Sequence, residues 1–447
     1  LCQRTISIIS NAVKKVSEGE PASGLIRGIR RWDLVAITIN GIIGAGIFGL
    51  PSKVFALIGS YSLIAFVVCA AVVTLFILCF AEVGSRFDET GGPYLYAREA
   101  FGSTVAFEIG WLIWLARLTA FAANCNLLVA YVSYFVPAAT NPVWRPSIII
   151  IVVAVLTAIN LLGIRQAAIV SNIFTIGKII PIMIFIAVGL FFLNPQAFAL
   201  GPRPATGAFS QSVLLLIYAF SGFEMAAIPA GEVKDPKKNV PHALLIAIGV
   251  VAFLYILIQV VCVGTFPELA QSQRPLADAG MRFMGAAGGA IISTGAIISI
   301  TGNLNIVLLS GSRVPFAMAE QQQLPSFIGS VHPRFATPYV AILITAAVML
   351  LLTLNSSFVA AVTISAIARL VTYGATCLSL PIFRRRSDVP TAGFRLHYGT
   401  VIAILALLLA VWLLANSTWK EARAAAVAAA VGLLIYFSFR CYSRRRE

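Results

Sequence analysis

The chain of 447 residues is 59% hydrophobic and only 11% charged, against about 45–50% apolar and roughly 25% charged in an ordinary soluble domain. That balance excludes a soluble globular protein, whereas a dozen spans of about 20 apolar residues fit the length with short loops and two tails to spare. The excess of 32 Lys and Arg over 17 Asp and Glu, a net charge of +15, would indicate nucleic acid in a soluble protein and is here read through topology.

Stretches such as 147–158 and 401–414 are apolar on every face, which excludes the alternation of a membrane β-barrel. The expected fold is an all-α integral membrane protein, with each backbone amide satisfied inside its own helix. Residues 1–30 form a polar, basic tail without the short apolar core of a secretory signal, so the first span serves as the insertion signal. Spans are expected near 32–58, 60–83, 100–136, 147–163, 167–193, 209–231, 240–265, 284–312, 337–354, 357–382, 398–415 and 422–440, followed by a tail at 441–447. With the N-terminus inside, inner segments carry 22 of the Lys and Arg residues and outer loops 6; the other four, Lys53, Arg117, Lys178 and Arg369, lie within spans. Both termini are thereby expected in the cytoplasm of a plasma (inner) membrane protein. Topology and anionic lipid account for the basic charge, and no nucleic-acid partner is expected. The seven cysteines, Cys2, Cys69, Cys79, Cys125, Cys262, Cys377 and Cys441, are scattered without metal spacing, so neither metal nor cofactor is expected.

The first span contains Gly41-Ile42-Ile43-Gly44-Ala45-Gly46-Ile47-Phe48-Gly49-Leu50-Pro51. Glycine costs about 0.5–1 kcal/mol relative to alanine inside a helix. The sixth repeats the theme with Tyr218-Ala219-Phe220-Ser221-Gly222-Phe223-Glu224, followed by Pro229 and Gly231. Interrupted spans in corresponding places of two halves point to an inverted-repeat transporter with its substrate at the midplane. Unwound amides at a half-helix N-terminus hold a carboxylate, and unwound carbonyls face an ammonium group. The plainer alternative is close helix packing through the row Gly41, Ala45 and Gly49.

These stretches, together with Tyr218 to Pro241 (YAFSGFEMAAIPAGEVKDPKKNVP) and Gly311 to Pro338 (GSRVPFAMAEQQQLPSFIGSVHPRFATP), resemble the amino acid/polyamine/organocation transporters from about Arg31 to Arg386. The resemblance implies five-plus-five inverted repeats, 31–193 and 209–386, with discontinuous helices one and six, two extra spans over 398–440, and transport by alternating access. It places the substrate carboxylate at the amides of Gly44, Ala45 and Gly46, near Ile42, with Ala45 standing where relatives often have Ser or Thr. The amine would meet the carbonyls of Tyr218, Ala219 and Ser221, with Tyr218 or Phe220 as the occluding ring. It also implies that Lys178 in span five substitutes for a sodium ion, bridging the first break to Ser299 of span eight.

Lys178 lies eleven residues into its span, roughly 17 Å deep at about 1.5 Å per residue. An unpaired lysine there costs about 2.5–3.5 kcal/mol on insertion scales, so it is expected to face the interior and pair. A buried lysine that releases its proton is a coupling group; the alternative is a permanent structural pin. Glu224 is either a proton carrier or charge partner for Arg117 or Lys178, or an anchor of the unwound segment. Arg117 and Glu108 stand nine residues apart on one helix, hence on opposite faces, so Glu224 is the expected partner of Arg117. Arg369 has no partner visible in sequence. Asn124, Asn126, Asn303 and Asn305 are expected as hydrogen-bond links between helices, and His242, His332 and His397 as interfacial residues.

No zinc-protease HExxH, Ser/His/Asp spacing or phosphate-binding P-loop is present, and no filter-like repeat of a channel. The expected function is non-enzymatic: a secondary amino acid transporter, sodium-independent and proton-coupled, favouring neutral amino acids. An amino acid or polyamine exchanger and a transporter-fold nutrient receptor are the alternatives. The loop Pro137 to Pro146 holds no cysteine, so no disulfide-linked heavy chain is expected.

Overall fold

The computed structural model describes residues 29–89, 91–162, 178–228 and 230–443. Among them the structure is helical, with one isolated β-bridge between Ile29 and Val233. The expected first span is two helices, α1 (Arg31–Ile42) and α2 (Gly46–Ile58), parted at residues 43–45. A short 3-10 turn leads to α3 (Ser62–Gly84). The third expected span starts later than predicted: a separate short helix α4 (Pro93–Phe101) precedes α5 (Ser103–Val132). Next come α6 (Trp144–Leu162) and α7 (Lys178–Phe192), the first part of the expected fifth span lying outside the described residues. The expected sixth span stops as an α-helix at α8 (Ala208–Ala219) and resumes as a 3-10 turn, Phe223–Ala226.

The remaining helices are α9 (Pro236–Thr265), α10 (Pro275–Glu320), α11 (Tyr339–Asn355), α12 (Phe358–Arg385), α13 (Gly399–Ala415) and α14 (Trp419–Ser443). α10 exceeds its expected range at both ends. Gly285, at φ +68°, kinks it, and residues 286–320 then rise roughly 50 Å at about 1.5 Å per residue. That outreaches a hydrocarbon core of about 30 Å, so one end of α10 projects past it and lines the entrance described below.

Among the described residues eight helical stretches are long and apolar enough to cross a membrane, and Lys178–Phe192, Tyr339–Asn355 and Gly399–Ala415 are shorter apolar helices. Outward faces are apolar too, as at Ile151 and Val155 of α6, Leu408 of α13 and Leu434 of α14. A surface of that kind needs lipid around it, and the protein is a multi-pass membrane protein. At its centre α5 packs on α10 and α12, while α9 packs on α1 and α3, and α2 on α8. Glu82, fully buried on α3, accepts from Arg384 Nε (2.7 Å) and Nη2 (2.6 Å) and from the Leu396 amide (2.9 Å). This fork joins α3 to α12 with the geometry that makes arginine–carboxylate pairs strong.

The small-residue row Gly41, Ala45 and Gly49 does not form one packing seam, because the break divides it. Gly41 faces the Gly222 carbonyl, whereas Gly49 lies against Phe358 and Leu127.

Candidate functional site

The site begins where α1 ends. The last carbonyls of a helix carry its negative dipole end, which a cation stabilises, and Lys178 supplies one: Nζ donates to Asn40 O (2.8 Å) and Ile43 O (2.7 Å). The expected bridge to Ser299 is not made. Ser299 Oγ is buried without a partner among the described residues, and the ammonium is drawn instead to two carbonyls of the break. Immediately beyond, α2 opens at Gly46, where first-turn amides lack intrahelical acceptors. Gly46 is packed so tightly that a Cβ there would lie 2.7 Å from Ala219 Cα.

The second break has the opposite electrical character. Gly222 adopts φ +109°, and a Cβ there would lie 2.3 Å from the Gly41 carbonyl oxygen. Only glycine meets both conditions. Glu224 Oε2 accepts from the Gly222 amide (2.9 Å) and from the Tyr373 hydroxyl (2.9 Å), and Oε1 forms an ion pair with Arg369. The expected pairing of Glu224 with Arg117 is thus corrected: α12 carries Arg369 onto the carboxylate, and Arg117 Nη1 donates instead to Ser310 Oγ (2.6 Å), with Nη2 at 3.1 Å from Met225 Sδ.

The breaks touch. Tyr255 of α9 places its hydroxyl 3.1 Å from Ile42 O and 3.3 Å from Ala219 O, one carbonyl from each break. Ser221 Oγ donates to Tyr218 O (2.7 Å). Tyr218 donates to Asn124 Oδ1, and Asn124 Nδ2 donates to Asn303 Oδ1 (2.6 Å), which ties α8, α5 and α10 together. Phe220 does not take the gate position assigned to it. It is fully buried between Phe66 and Tyr255, because two helical residues differ by about 200° in direction, and Tyr218 faces inward. Ala219 likewise is absent from the cavity wall, its carbonyl engaged by Tyr255.

Between the breaks lies a cavity of about 280 Å³ whose wall includes Ile42, Gly44, Ala45, Gly46, Tyr218 and Ser221. Asn303, Met225, Ile306 and Val307 belong to the same wall, as do Arg117, Glu224 and Arg369. A vestibule of about 630 Å³ shares Arg117, Glu224, Met225 and Ile306 with it and leads out past Arg313 to Arg98, Glu89 and Gln321. Across the mouth Tyr94 hydrogen-bonds Gln321 and accepts from Gln323 (2.9 Å), and burial pushes its phenol up. The opposite end is closed: the Tyr131 hydroxyl donates to Phe48 O (2.7 Å), their rings meet edge to face, and Phe358 and Leu127 press on Gly49. Among the described residues no three His, Cys, Asp or Glu side chains gather as a metal site.

Tyr255, Asn303, Met225, Ser310 and Tyr373 were missed as site residues by sequence reasoning. A tyrosine in an apolar span is the only signal that pointed to Tyr255 or Tyr373, since a buried hydroxyl needs a partner.

Two interrupted helices around a cavity within a membrane bundle are the arrangement that the sequence led us to expect of a transporter. Residues 29–438 match the family model described as amino acid permease, and the chain belongs to that family, within the amino acid/polyamine/organocation superfamily of amino acid transporters. It is 28% identical to the methylthioribose transporter of Bacillus subtilis, covering 97% of each chain. It is 29% identical to the branched-chain amino acid permease BcaP of the same organism, over 95% of this chain and 94% of the relative. With the serine/threonine exchanger SteT, also of Bacillus subtilis, it shares 31% identity over 75% of this chain and 78% of the relative.

Proposed function

We propose that the protein is a secondary active transporter of α-amino acids that works by alternating access. The observation that carries this is the contact of two broken helices around a cavity open at one end and closed at the other. In this reading 31–193 and 209–386 are inverted repeats within twelve spans, and both termini face the cytoplasm of the plasma membrane, so the vestibule is the inner passage. The substrate carboxylate lies at the amides of Ala45 and Gly46, where the α2 dipole favours an anion; the Gly44 amide, expected to join them, donates to Ile42 O (2.8 Å). Its amine faces the carbonyl of Ser221, because the Tyr218 carbonyl already accepts from the Ser221 hydroxyl and amide and the Ala219 carbonyl, outside the cavity wall, is held by Tyr255.

Lys178 supports sodium independence, because its ammonium occupies the carbonyls of Asn40 and Ile43 that a sodium ion would otherwise take. Lys178 and Glu224 are the groups proposed to exchange the coupling proton, with Ser299, whose hydroxyl is buried without a partner among the described residues, as the third member of the relay. The expectation of a neutral side chain rests on the apolar part of the wall, Ile37, Ile306 and Val307. Exchange is the second mode, and the exchanger among the relatives supports keeping it.

The test is uptake of labelled amino acids by proteoliposomes under an inward proton gradient, or with unlabelled amino acid inside. Accumulation abolished by a protonophore is the expected result. Uptake only into preloaded vesicles makes the protein an exchanger, and binding without uptake in either case makes it a receptor.

A further inference from the structure

Charge at the centre of the molecule does not balance. Glu224 sits between two guanidiniums, and only Arg369 touches it. Arg117, just 7% exposed, lines the same cavity from α5 and holds a serine hydroxyl and a thioether, the latter a weak acceptor. Its Nε is buried without a partner among the described residues. Glu224 is the one acidic side chain in the described cavity wall, beside Arg117 and Arg369. An uncompensated cation at this depth costs about 2.5–3.5 kcal/mol on insertion scales, and the guanidinium fork matches a carboxylate in shape as well as charge.

The passage has the same bias. Arg313 lies one turn beyond Ser310 on α10, lines the vestibule and keeps a buried Nη2 without a partner among the described residues. Arg98 stands at the mouth. Along cavity and vestibule the arginines are Arg117, Arg369, Arg313 and Arg98 and the acids Glu224 and Glu89, with Glu99 paired to Arg98 at the mouth, a positive excess that draws anions inward.

We infer that Arg117 recognises an anionic side chain, so that the preferred substrates are α-amino acids bearing a second carboxylate. The α-carboxylate lies at the start of α2, the side-chain carboxylate displaces the Met225 thioether from Arg117, and the stem lies along Ile306 and Val307. This rests on the transport reading and replaces its neutral side-chain preference.

The test is competition uptake with purified protein in proteoliposomes, comparing L-glutamate and L-aspartate with L-leucine and L-serine. Half-inhibition by an acidic amino acid at a concentration at least tenfold lower than by either neutral one is expected, and Arg117→Gln collapses that ratio toward one. Arg117→Lys keeps the charge without the fork and restores part of the ratio. Ser310→Ala, which frees Arg117 from its hydroxyl, shifts the ratio if Arg117→Gln does not yield folded protein. A preference for leucine or serine in the unmodified protein, or an unchanged ratio in folded Arg117→Gln, overturns the inference and leaves the transport reading standing. If nothing is taken up, calorimetry with L-glutamate separates the two: binding that is lost in Arg117→Gln upholds the anion site while transport falls, and no binding overturns both.

Discussion

The two breaks solve one problem in opposite ways. Interrupting a helix inside a membrane orphans backbone groups that lipid cannot satisfy. At the first break the orphans held by a side chain are carbonyls, and the holder is a cation, Lys178 on Asn40 O and Ile43 O. At the second the orphan is an amide, Gly222 N–H, and the holder is an anion, Glu224, itself steadied by Arg369 and Tyr373. Tyr255 spans both. The first break therefore depends on one ammonium and the shared Tyr255 hydroxyl, whereas the second rests on a network whose members support one another.

The sharpest way to break this arrangement is at Gly222. A side chain there must adopt φ +109° and penetrate the Gly41 carbonyl, adding about 1–3 kcal/mol of backbone strain to a further 1–3 of overpacking. Gly222→Ala is expected to lose monodisperse protein on size exclusion. Gly41→Ala, whose Cβ would lie 3.1 Å from the Gly222 oxygen, is expected to remain folded with reduced uptake.

Lys178→Met comes next, since hydrogen bonds to a charged group contribute about 1.5–3 kcal/mol each and two are lost. A lower melting temperature and at least a hundredfold fall in uptake are expected. Retained uptake with an unchanged pH profile would defeat the coupling role. Arg369→Met strands Glu224 at a cost of about 3–5 kcal/mol. Because the second break is a network, adding Glu224→Gln should recover part of that loss, which a double-mutant cycle of melting temperatures reads directly; strict additivity would show that the pair is not coupled. The smallest effect falls on Tyr255→Phe, at roughly 1 kcal/mol, seen as a several-fold drop in uptake with the fold intact.

Both breaks were legible because glycine is anomalous inside an apolar run, and that signal is local. The long excess of α10 was not, because its extensions past the expected span carry Asp278, Arg282, Arg313 and Glu320 and do not read as membrane sequence. Tyr218 and Phe220 were equal candidates for a ring over the cavity, and periodicity determined only that they point in different directions. Packing of α8 against α2, α3 and α12 chose Tyr218. Asn124 and Asn303 do link helices as expected, and Asn303 also stands in the cavity wall.

Sequence alone determined the membrane class, the approximate positions of the described apolar helices and the places where two of the expected spans are interrupted, since apolar length and glycine content act within a single helix. The partners of the buried charges were decided only by tertiary structure. Arg117, Glu224 and Arg369 lie on α5, the second break and α12, and a helix rotation of one residue, about 100°, would exchange which of them meet. That rotation is set by packing among distant segments, which leaves Glu224 with Arg369 and Arg117 facing the cavity.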